Sequence, residues 1–323
     1  MLKRILSAAL LLTFITQGVS GQEPAVKLYD TFQKISVTVK SGMGEGSGTI
    51  ITREVRIAPN KIEKLNFVWT AAHVIDNLRT VRQVVENGKV THRVEFKDAQ
   101  IVQELVENGR RVGEVKLDAK VIKYSDSEEG EDLALLLIRK TGYTSESAVF
   151  YKNENKPVVI GTELYHVGSL LGQVGSNSMT RGIMSQVGRV LNLGSGDGVV
   201  FDQTTVTAFP GSSGGGVFLS ERSGEKQGQY VGMLVRGAGE TFNLIVPVRR
   251  LREYANSNGV GWAVDNDVEV PSLQDIVKLP IEGEVKPKAG EDKKSITPDS
   301  KKFPTLPVSL IEVKPSTSSI QVK

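Results

Sequence analysis

The sequence predicts a mostly β protein built as a barrel or a sandwich. Two Asn-Gly pairs, Asn87-Gly88 and Asn108-Gly109, each separate β-rich arms, and such pairs are typical of hairpin turns. Many short apolar runs with turn signals between them follow along the chain, for example LALLLI and YVGMLVRG. One helix, from near Pro247 to near Asn258, is expected to close the folded unit.

Residues 1–21 differ from the rest of the chain. Lys3 and Arg4 precede an apolar stretch from Ile5 to Thr16, and small residues then end it at the spacing of a signal-peptidase site. A bilayer requires about 20 apolar residues, so this stretch is too short to span one. We interpret it as a secretory signal peptide rather than a buried N-terminal helix. An exported protein, periplasmic or secreted, with no transmembrane segment in the mature chain is therefore expected.

The composition is that of an ordinary globular protein, with 323 residues, 39% hydrophobic and 24% charged. The chain has no cysteine, which excludes a disulfide scaffold, thiolate catalysis and cysteine-bound zinc. The formal net charge is only +3, so no nucleic-acid partner is expected. No metal or cofactor is expected either. The arginines at 249, 250 and 252 are interpreted as the solvated face of the predicted helix.

The chain has one clear compositional boundary. Seven of its 12 prolines lie after residue 270, and residues 266–323 contain a single aromatic residue, Phe303. Such a segment buries too little apolar surface to offset the entropy of ordering it. Residues 22–265 are therefore predicted to form the folded unit, and residues 266–323 a disordered tail.

The stretch GSSGG at residues 211–215 suggests a loop that exposes a serine nucleophile. A serine hydroxyl needs a base, usually a histidine, and this chain has only three histidines. His92 lies among charges in a hairpin arm, and His166 lies in an apolar strand where a structural role is expected. His73 follows the apolar stretch FVWTAA and precedes a polar turn, so it is predicted to sit at a strand end open to a cleft.

The order of histidine, aspartate and serine along the chain narrows the kinds of serine hydrolase that the sequence can represent. GSSGG also satisfies G-x-S-x-G, but the α/β-hydrolase order needs a histidine after the serine, and none follows Ser213. The order Asp-His-Ser is disfavoured because the only aspartate before His73 is Asp30, in an amphipathic stretch. The order His-Asp-Ser remains.

The acidic member is sought in YSDSEEGEDLALLLI. Four carboxylates belong to a charged loop and are interpreted as solvated: Asp126, Glu128, Glu129 and Glu131. Asp132 directly precedes the apolar run LALLLI, which is a buried strand by composition. Asp132 is therefore predicted to orient the histidine away from water.

Three blocks, TAAHV (70–74), EDLALL (131–136) and GSSGG (211–215), resemble the catalytic blocks of the trypsin-like serine peptidases in the same order. Within that family, GIMSQVGRV and FPGSSGG resemble the bacterial HtrA (Deg) branch. The resemblance implies the chymotrypsin fold, which has two six-stranded antiparallel β-barrels with the active site between them. Residues 266–323 are too few for the PDZ domain that usually follows in that branch, so none is expected.

The resemblance also implies residue roles in an exported serine endopeptidase that acts on proteins or peptides. Ser213 would be the nucleophile, His73 the base and Asp132 its orienting group, and the backbone N–H groups of Gly211 and Ser213 would form the oxyanion hole. Thr207 falls at the base of the specificity pocket with Ala208 beside it, and Val235, Arg236 and Gly237 form its wall. The resemblance therefore implies a neutral pocket that accepts a small or medium apolar side chain. The alternative is a non-catalytic relative that binds peptides or proteins.

Overall fold

The computed structural model describes residues 23–282 except 43, 87–88, 108–109, 129, 153–155, 192–197 and 238–240. The predicted signal peptide, both predicted Asn-Gly turns and residues 283–323 lie outside the described residues. Within the described ranges, no helix has the length and apolar character needed to cross a membrane.

The first barrel is built from the strands that precede residue 139. In chain order these strands are β1 (Ser36–Ser41), β2 (Gly44–Ala58), β3 (Lys61–Thr70), β4 (Arg79–Glu86), β5 (Lys89–Phe96), β6 (Ala99–Glu107), β7 (Arg110–Ser125) and β8 (Leu133–Ile138). Six of them close an antiparallel barrel in the order β1-β2-β3-β8-β7-β6, whereas β4 and β5 pair as a separate hairpin. Strand β8 is buried along its whole length, which explains the unbroken apolar run LALLLI.

The second barrel follows with β9 (Glu163–Leu170), β10 (Gly175–Leu191), β11 (Val199–Thr204), β12 (Gly216–Leu219), β13 (Tyr230–Gly237) and β14 (Asn243–Pro247). These strands close in the antiparallel order β10-β11-β14-β13-β12-β9 around buried side chains such as Phe218, Tyr230 and Met233. The two six-stranded barrels confirm the predicted fold class.

The predicted hairpins are present as strand pairs. The last described pairs, Glu86 with Lys89 and Glu107 with Arg110, bracket the two Asn-Gly positions. Strand β1 was not predicted, because its short run SVTVKS has only two apolar residues, although Val37 and Val39 are both buried. A one-face pattern of this length is a weak signal for a strand.

Within the described residues, three α-helices accompany the barrels, namely α1 (Glu23–Ile35), α2 (Val248–Ser257) and α3 (Leu273–Ile276). Helix α2 has the bounds predicted for the closing helix, with Pro247 and Asn258 as its caps.

The segments near the two ends of the described chain each also contact the barrel that is farther away along the sequence. Helix α1 precedes the first barrel, yet the ring of Phe32 stacks on Phe218 of β12 with 4.6 Å between ring centroids. The short turn after α2, Gly261–Ala263, follows the second barrel, yet Trp262 lies edge-on against Phe67 of β3 at 4.7 Å. Both barrels are therefore covered by the opposite end of the chain.

The arginines of α2 are not a solvated face, so that interpretation was wrong. Arg250 and Arg252 are only 9% and 6% exposed. The guanidinium of Arg249 donates to both carboxylate oxygens of the buried Asp202, at 2.6 and 2.7 Å, and Arg250 pairs with Glu131. These carboxylates are distant in the sequence, and they compensate the burial of the guanidinium groups.

Ordered structure continues past Asp265, the predicted end of the folded unit. Ile276 of α3 is fully buried, and the ammonium group of Lys123 donates to the carbonyl of Pro280 at 2.8 Å. The backbone N–H of Tyr124 donates to the carbonyl of Ile281 at 2.8 Å. Sparse but well-placed apolar residues therefore hold this segment on the first barrel despite its polar composition.

Candidate active site

His73 lies at the end of β3, where the strand gives way to the short turn Ala72–Val74. Ala71 and Ala72 are fully buried, so their small side chains let the chain turn inside the packed interior. The side chain of His73 keeps 34% of its surface exposed. This is the strand-end position, held by a core and open on one side, that the sequence predicts.

Asp132 contacts His73 from the start of β8. Both carboxylate oxygens lie 3.0 Å from Nδ1 of His73, and Oδ1 also accepts from the His73 backbone N–H at 3.1 Å. Asp132 adopts a left-handed φ of 55°, which aspartate tolerates better than most residues. Only 4% of its side chain is exposed. A buried carboxylate in this position holds Nδ1 as the protonated nitrogen and leaves Nε2 free to act as a base.

The other carboxylates of the acidic loop have different partners. Oδ1 of Asp126 accepts from the backbone N–H of Glu128 at 2.7 Å, and Glu131 pairs with Arg250. Glu129 lies outside the described residues. Among the described carboxylates of this loop, Asp132 alone hydrogen-bonds His73.

Charges around the imidazole ring set the pKa of His73. Burial by itself would lower this pKa, because it disfavours the charged ring. The hydrogen bond and the charge of Asp132, together with the charge of Asp76, outweigh burial and the nearby charge of Arg236. The pKa of His73 is therefore raised above its ordinary value. Asp76 was not predicted from the sequence, because its only signal is its position three residues after His73.

The loop that carries Ser213 is attached to both barrels. The backbone carbonyl of Ser213 accepts from the N–H of Ser47 in β2 at 2.7 Å, and the N–H of Gly214 donates to Leu234 in β13 at 2.7 Å. A Cβ atom at Gly214 would lie 2.9 Å from the backbone N of Ala71. The serine loop therefore passes close beside the chain that leads into His73.

The two serines of GSSGG have different environments. Ser212 is 1% exposed, and its Oγ accepts from the N–H of Phe209 at 3.0 Å, so it ties the loop together. The Ser213 hydroxyl lies 3.5 Å from the carbonyl of Val235. Among the described residues, no hydrogen bond joins this hydroxyl to His73.

The backbone N–H groups of Gly211 and Ser213 have no hydrogen-bond acceptor within the described part of the chain. Gly211 has a left-handed φ of 92°, and a Cβ atom there would lie 2.3 Å from the carbonyl oxygen of Ser169. Only glycine fits this position without displacing the backbone behind it. Two unpaired donors on a sharply folded loop are suited to bind a negatively charged oxygen.

The residues predicted for the specificity pocket come partly together. A Cβ atom at Gly237 would lie 3.4 Å from the Cβ of Ala208, so these two positions face each other. Thr207 is half-buried, and Val235 is buried. Arg236 is exposed and donates to the carbonyl of Ser127 at 3.1 Å.

The other two histidines lie elsewhere. His166 is fully buried in β9, where its Nδ1 lies 3.1 Å from the carbonyl of Gly216, and burial lowers its pKa to about 4. His92 pairs through its backbone with Gln83 in the β4–β5 hairpin.

Comparisons with known proteins agree with this architecture. Over 196 residues the chain is 31% identical to the serine protease Do-like HtrA of Lactobacillus helveticus, which covers 59% of this chain. The match spans only 41% of the length of that relative.

One solved structure supports the same fold, and a second is similar at a lower score. The inactive form of Rv3671c from M. tuberculosis H37Rv has a TM-score of 0.50 at 15% identity, covering 75% of this chain and 97% of that one. The serine endoprotease from Yersinia pestis has a TM-score of 0.48 at 18% identity, covering 73% of this chain and 66% of that one. The family model described as a trypsin-like peptidase domain matches residues 46–233, more than half of the sequence. The chain therefore belongs to the trypsin-like peptidase family.

Proposed function

We propose that this chain is an exported serine endopeptidase in which Ser213, His73 and Asp132 form the catalytic triad. The observation that carries the proposal is the hydrogen bonding of the buried Asp132 carboxylate to Nδ1 of His73, with both distances at 3.0 Å. A carboxylate placed in this way fixes the tautomer of the base and stabilises the imidazolium that forms during reaction.

The proposed reaction begins at Ser213. Its hydroxyl turns from the carbonyl of Val235 towards Nε2 of His73, which takes the proton while Oγ attacks the peptide carbonyl. The negative oxygen of the tetrahedral intermediate accepts from the N–H groups of Gly211 and Ser213. His73 then returns the proton to the leaving amine, and water hydrolyses the acyl-enzyme by the same sequence of proton transfers.

The specificity pocket is proposed to take a small or medium apolar side chain. None of its five proposed positions carries a carboxylate or a histidine: Thr207, Ala208, Val235, Arg236 and Gly237. A pocket without a carboxylate has no partner for a buried cationic side chain. The guanidinium of Arg236 is exposed and donates to the carbonyl of Ser127, so it is not a buried partner for an anionic one. Cleavage of peptides that differ only in the residue before the cleaved bond tests this, with alanine and valine expected to exceed arginine and glutamate.

Export is proposed from residues 1–21 alone, because a charged start, a short apolar stretch and small residues resemble a signal peptide. The N-terminal sequence of the mature protein recovered outside the cytoplasm tests this. A mature chain that still begins at Met1 would contradict it.

One observation favours a second candidate, a peptide-binding relative without catalysis. The Ser213 hydroxyl lies near Val235 and is not bonded to His73. Catalytic hydrogen bonds are often loose before substrate binds, so this geometry is compatible with both candidates.

Labelling with a fluorophosphonate probe, followed by mapping of the modified residue, separates the two candidates. We expect the probe on Ser213, and we expect Ser213→Ala to lose both labelling and peptide hydrolysis while Ser212→Ala keeps both. If the probe labelled Ser212 instead, or labelled no residue of the folded protein, the proposed function would be contradicted.

A further inference from the structure

A second carboxylate, that of the exposed residue Asp76, follows the base by three residues. Asp76 begins the short turn Asp76–Leu78, which follows the turn that carries His73. Its negative charge acts on the imidazole ring of His73 in the same direction as that of Asp132. No step of the proposed triad mechanism uses Asp76.

Tyr124 fixes the position of this carboxylate. Its hydroxyl donates to Oδ1 of Asp76 at 2.6 Å. Tyr124 lies near the end of β7 and pairs with Ala134, two residues after Asp132, so both acidic contacts come from the same end of the first barrel. Burial raises the pKa of Tyr124 far above its ordinary value, so the hydroxyl stays protonated and remains a donor.

The last described residues, Ile281 and Glu282, contact both Tyr124 and the end of the turn that carries Asp76. The backbone N–H of Tyr124 donates to Ile281 at 2.8 Å. Arg79, the residue after the Asp76 turn, pairs with both carboxylate oxygens of Glu282, at 3.1 Å for the Nη2 contact. Both the turn and the tyrosine are thus anchored to neighbouring residues of one segment.

The charged and titratable groups that face this site come from several elements. Asp132 from β8 and Asp76 from its own turn favour a charged His73, whereas Arg236 from β13 opposes it. Asp76 in turn faces Asp126 of the β7–β8 loop, as well as Tyr124. Burial and the charge of Asp126 raise the pKa of Asp76, while the hydrogen bond from Tyr124 lowers it.

We propose that Asp76, fixed by the Tyr124 hydroxyl, is a second positioning residue for the base, and that its charge stabilises the His73 imidazolium formed when Ser213 gives up its proton. This inference rests on the proposed peptidase function. Asp132 holds the ring by direct contact, whereas Asp76 acts through space and adds to the effect of Asp132 on the protonation of His73.

The test is the pH–rate profile of full-length Asp76→Asn on one peptide substrate. Loss of the negative charge makes the imidazolium easier to deprotonate, so the acid limb of kcat/KM should move to lower pH. The plateau rate should fall by roughly twofold to fivefold, the size of a single charge effect in a water-like medium. A merely structural role would lower the rate at every pH and leave the limb in place, which would overturn the inference.

Asp98→Asn is the matched control. It removes the same charge from the first barrel, where Asp98 pairs with Arg139 at 2.8 Å through Nη2. The limb should stay in place in this variant. An equal movement in Asp98→Asn would show that overall charge is responsible and would overturn the role of Asp76.

Tyr124→Phe tests the fixing contact with little change in side-chain volume. It should move the limb in the same direction as Asp76→Asn, and the double variant should move it no further than Asp76→Asn alone. Additive movements would show that Tyr124 and Asp76 act separately, which would contradict the proposed pair.

A measurement without catalysis separates this inference from the proposed function. In Ser213→Ala, the proton resonances of His73 can be followed against pH by NMR, and adding Asp76→Asn should lower the titration midpoint. A midpoint that does not move would overturn the inference even if the enzyme is active. A midpoint that moves, while the parent chain with Ser213 intact hydrolyses no peptide, would overturn the proposed function instead.

Discussion

Asp132 places both carboxylate oxygens 3.0 Å from Nδ1 of His73 while its own side chain is almost fully buried. Asp132→Asn should therefore lower kcat by a factor on the order of 10⁴, because an amide that donates to Nδ1 leaves the proton on Nε2. Circular dichroism should be unaltered. Glu128→Gln, an exposed neighbour in the same loop, should keep nearly the full rate. Near-normal rates for Asp132→Asn would refute the proposed triad.

Gly211→Ala should lower kcat by a factor on the order of 10² to 10³, since the new Cβ would collide with the carbonyl of Ser169 and turn one oxyanion donor away. Gly161→Ala is the matched control, because its φ of 88° is equally left-handed but nothing lies within 4 Å of the added atom. It should cost about 1 kcal/mol of stability and no activity. Equal rates for the two variants would argue against the oxyanion role.

The buried His166 should make the protein less stable in acid. Burial lowers its folded pKa to about 4, while the unfolded value is about 6.5, so the unfolded state binds the proton first as the pH falls. The associated stability is present above about pH 6.5 and decreases through the window down to pH 4, by about 3 kcal/mol.

Urea unfolding at several pH values measures this loss, and His166→Gln should flatten the dependence. His73→Gln should have the opposite effect. The raised pKa of His73 adds stability at low pH that is lost as the pH rises, so its removal steepens the decline in acid. If the stability of His166→Gln fell with pH as steeply as that of the wild type, the loss in acid could not be assigned to His166. Titration of His166 near pH 6.5 in NMR spectra would contradict the assignment as well.

A chain that ends at Asp265 should have a melting temperature lower by about 10 °C than a chain that ends at Glu282. The shorter chain loses the fully buried Ile276 and the carbonyl of Pro280, which accepts from the buried Lys123. The longer chain keeps every described contact and serves as the control. Equal melting temperatures in a thermal scan would show that residues 266–282 add nothing to stability.

The sequence predicts most of the strands correctly because their apolar runs are local features. LALLLI and YVGMLVRG have the bounds of β8 and β13. Asp132 was singled out because it directly precedes such a run, and the structure places it on His73.

Features that depend on a partner far away in the sequence could not be predicted from local sequence patterns. The ion pair of Arg249 needs Asp202, 47 residues away, and the contact between Tyr124 and Asp76 joins residues 48 apart. A polar residue in a pattern is interpreted as solvated unless its partner is known. The same limitation placed the end of the folded unit at Asp265, because the apolar residues between 268 and 281 belong to a longer segment whose overall composition is polar and proline-rich.

The packing of each chain end on the far barrel means that the linear halves of the sequence are not its structural halves. A cut between Ile138 and Glu163 would leave the first barrel without Trp262 and the second without Phe32. Each fragment would expose an apolar surface that is covered, in the whole chain, by an aromatic residue of the other fragment. Neither half therefore carries all the apolar contacts that its barrel makes in the whole chain. The contacts made by the two end segments thereby link the barrel that carries His73 to the barrel whose loop carries Ser213.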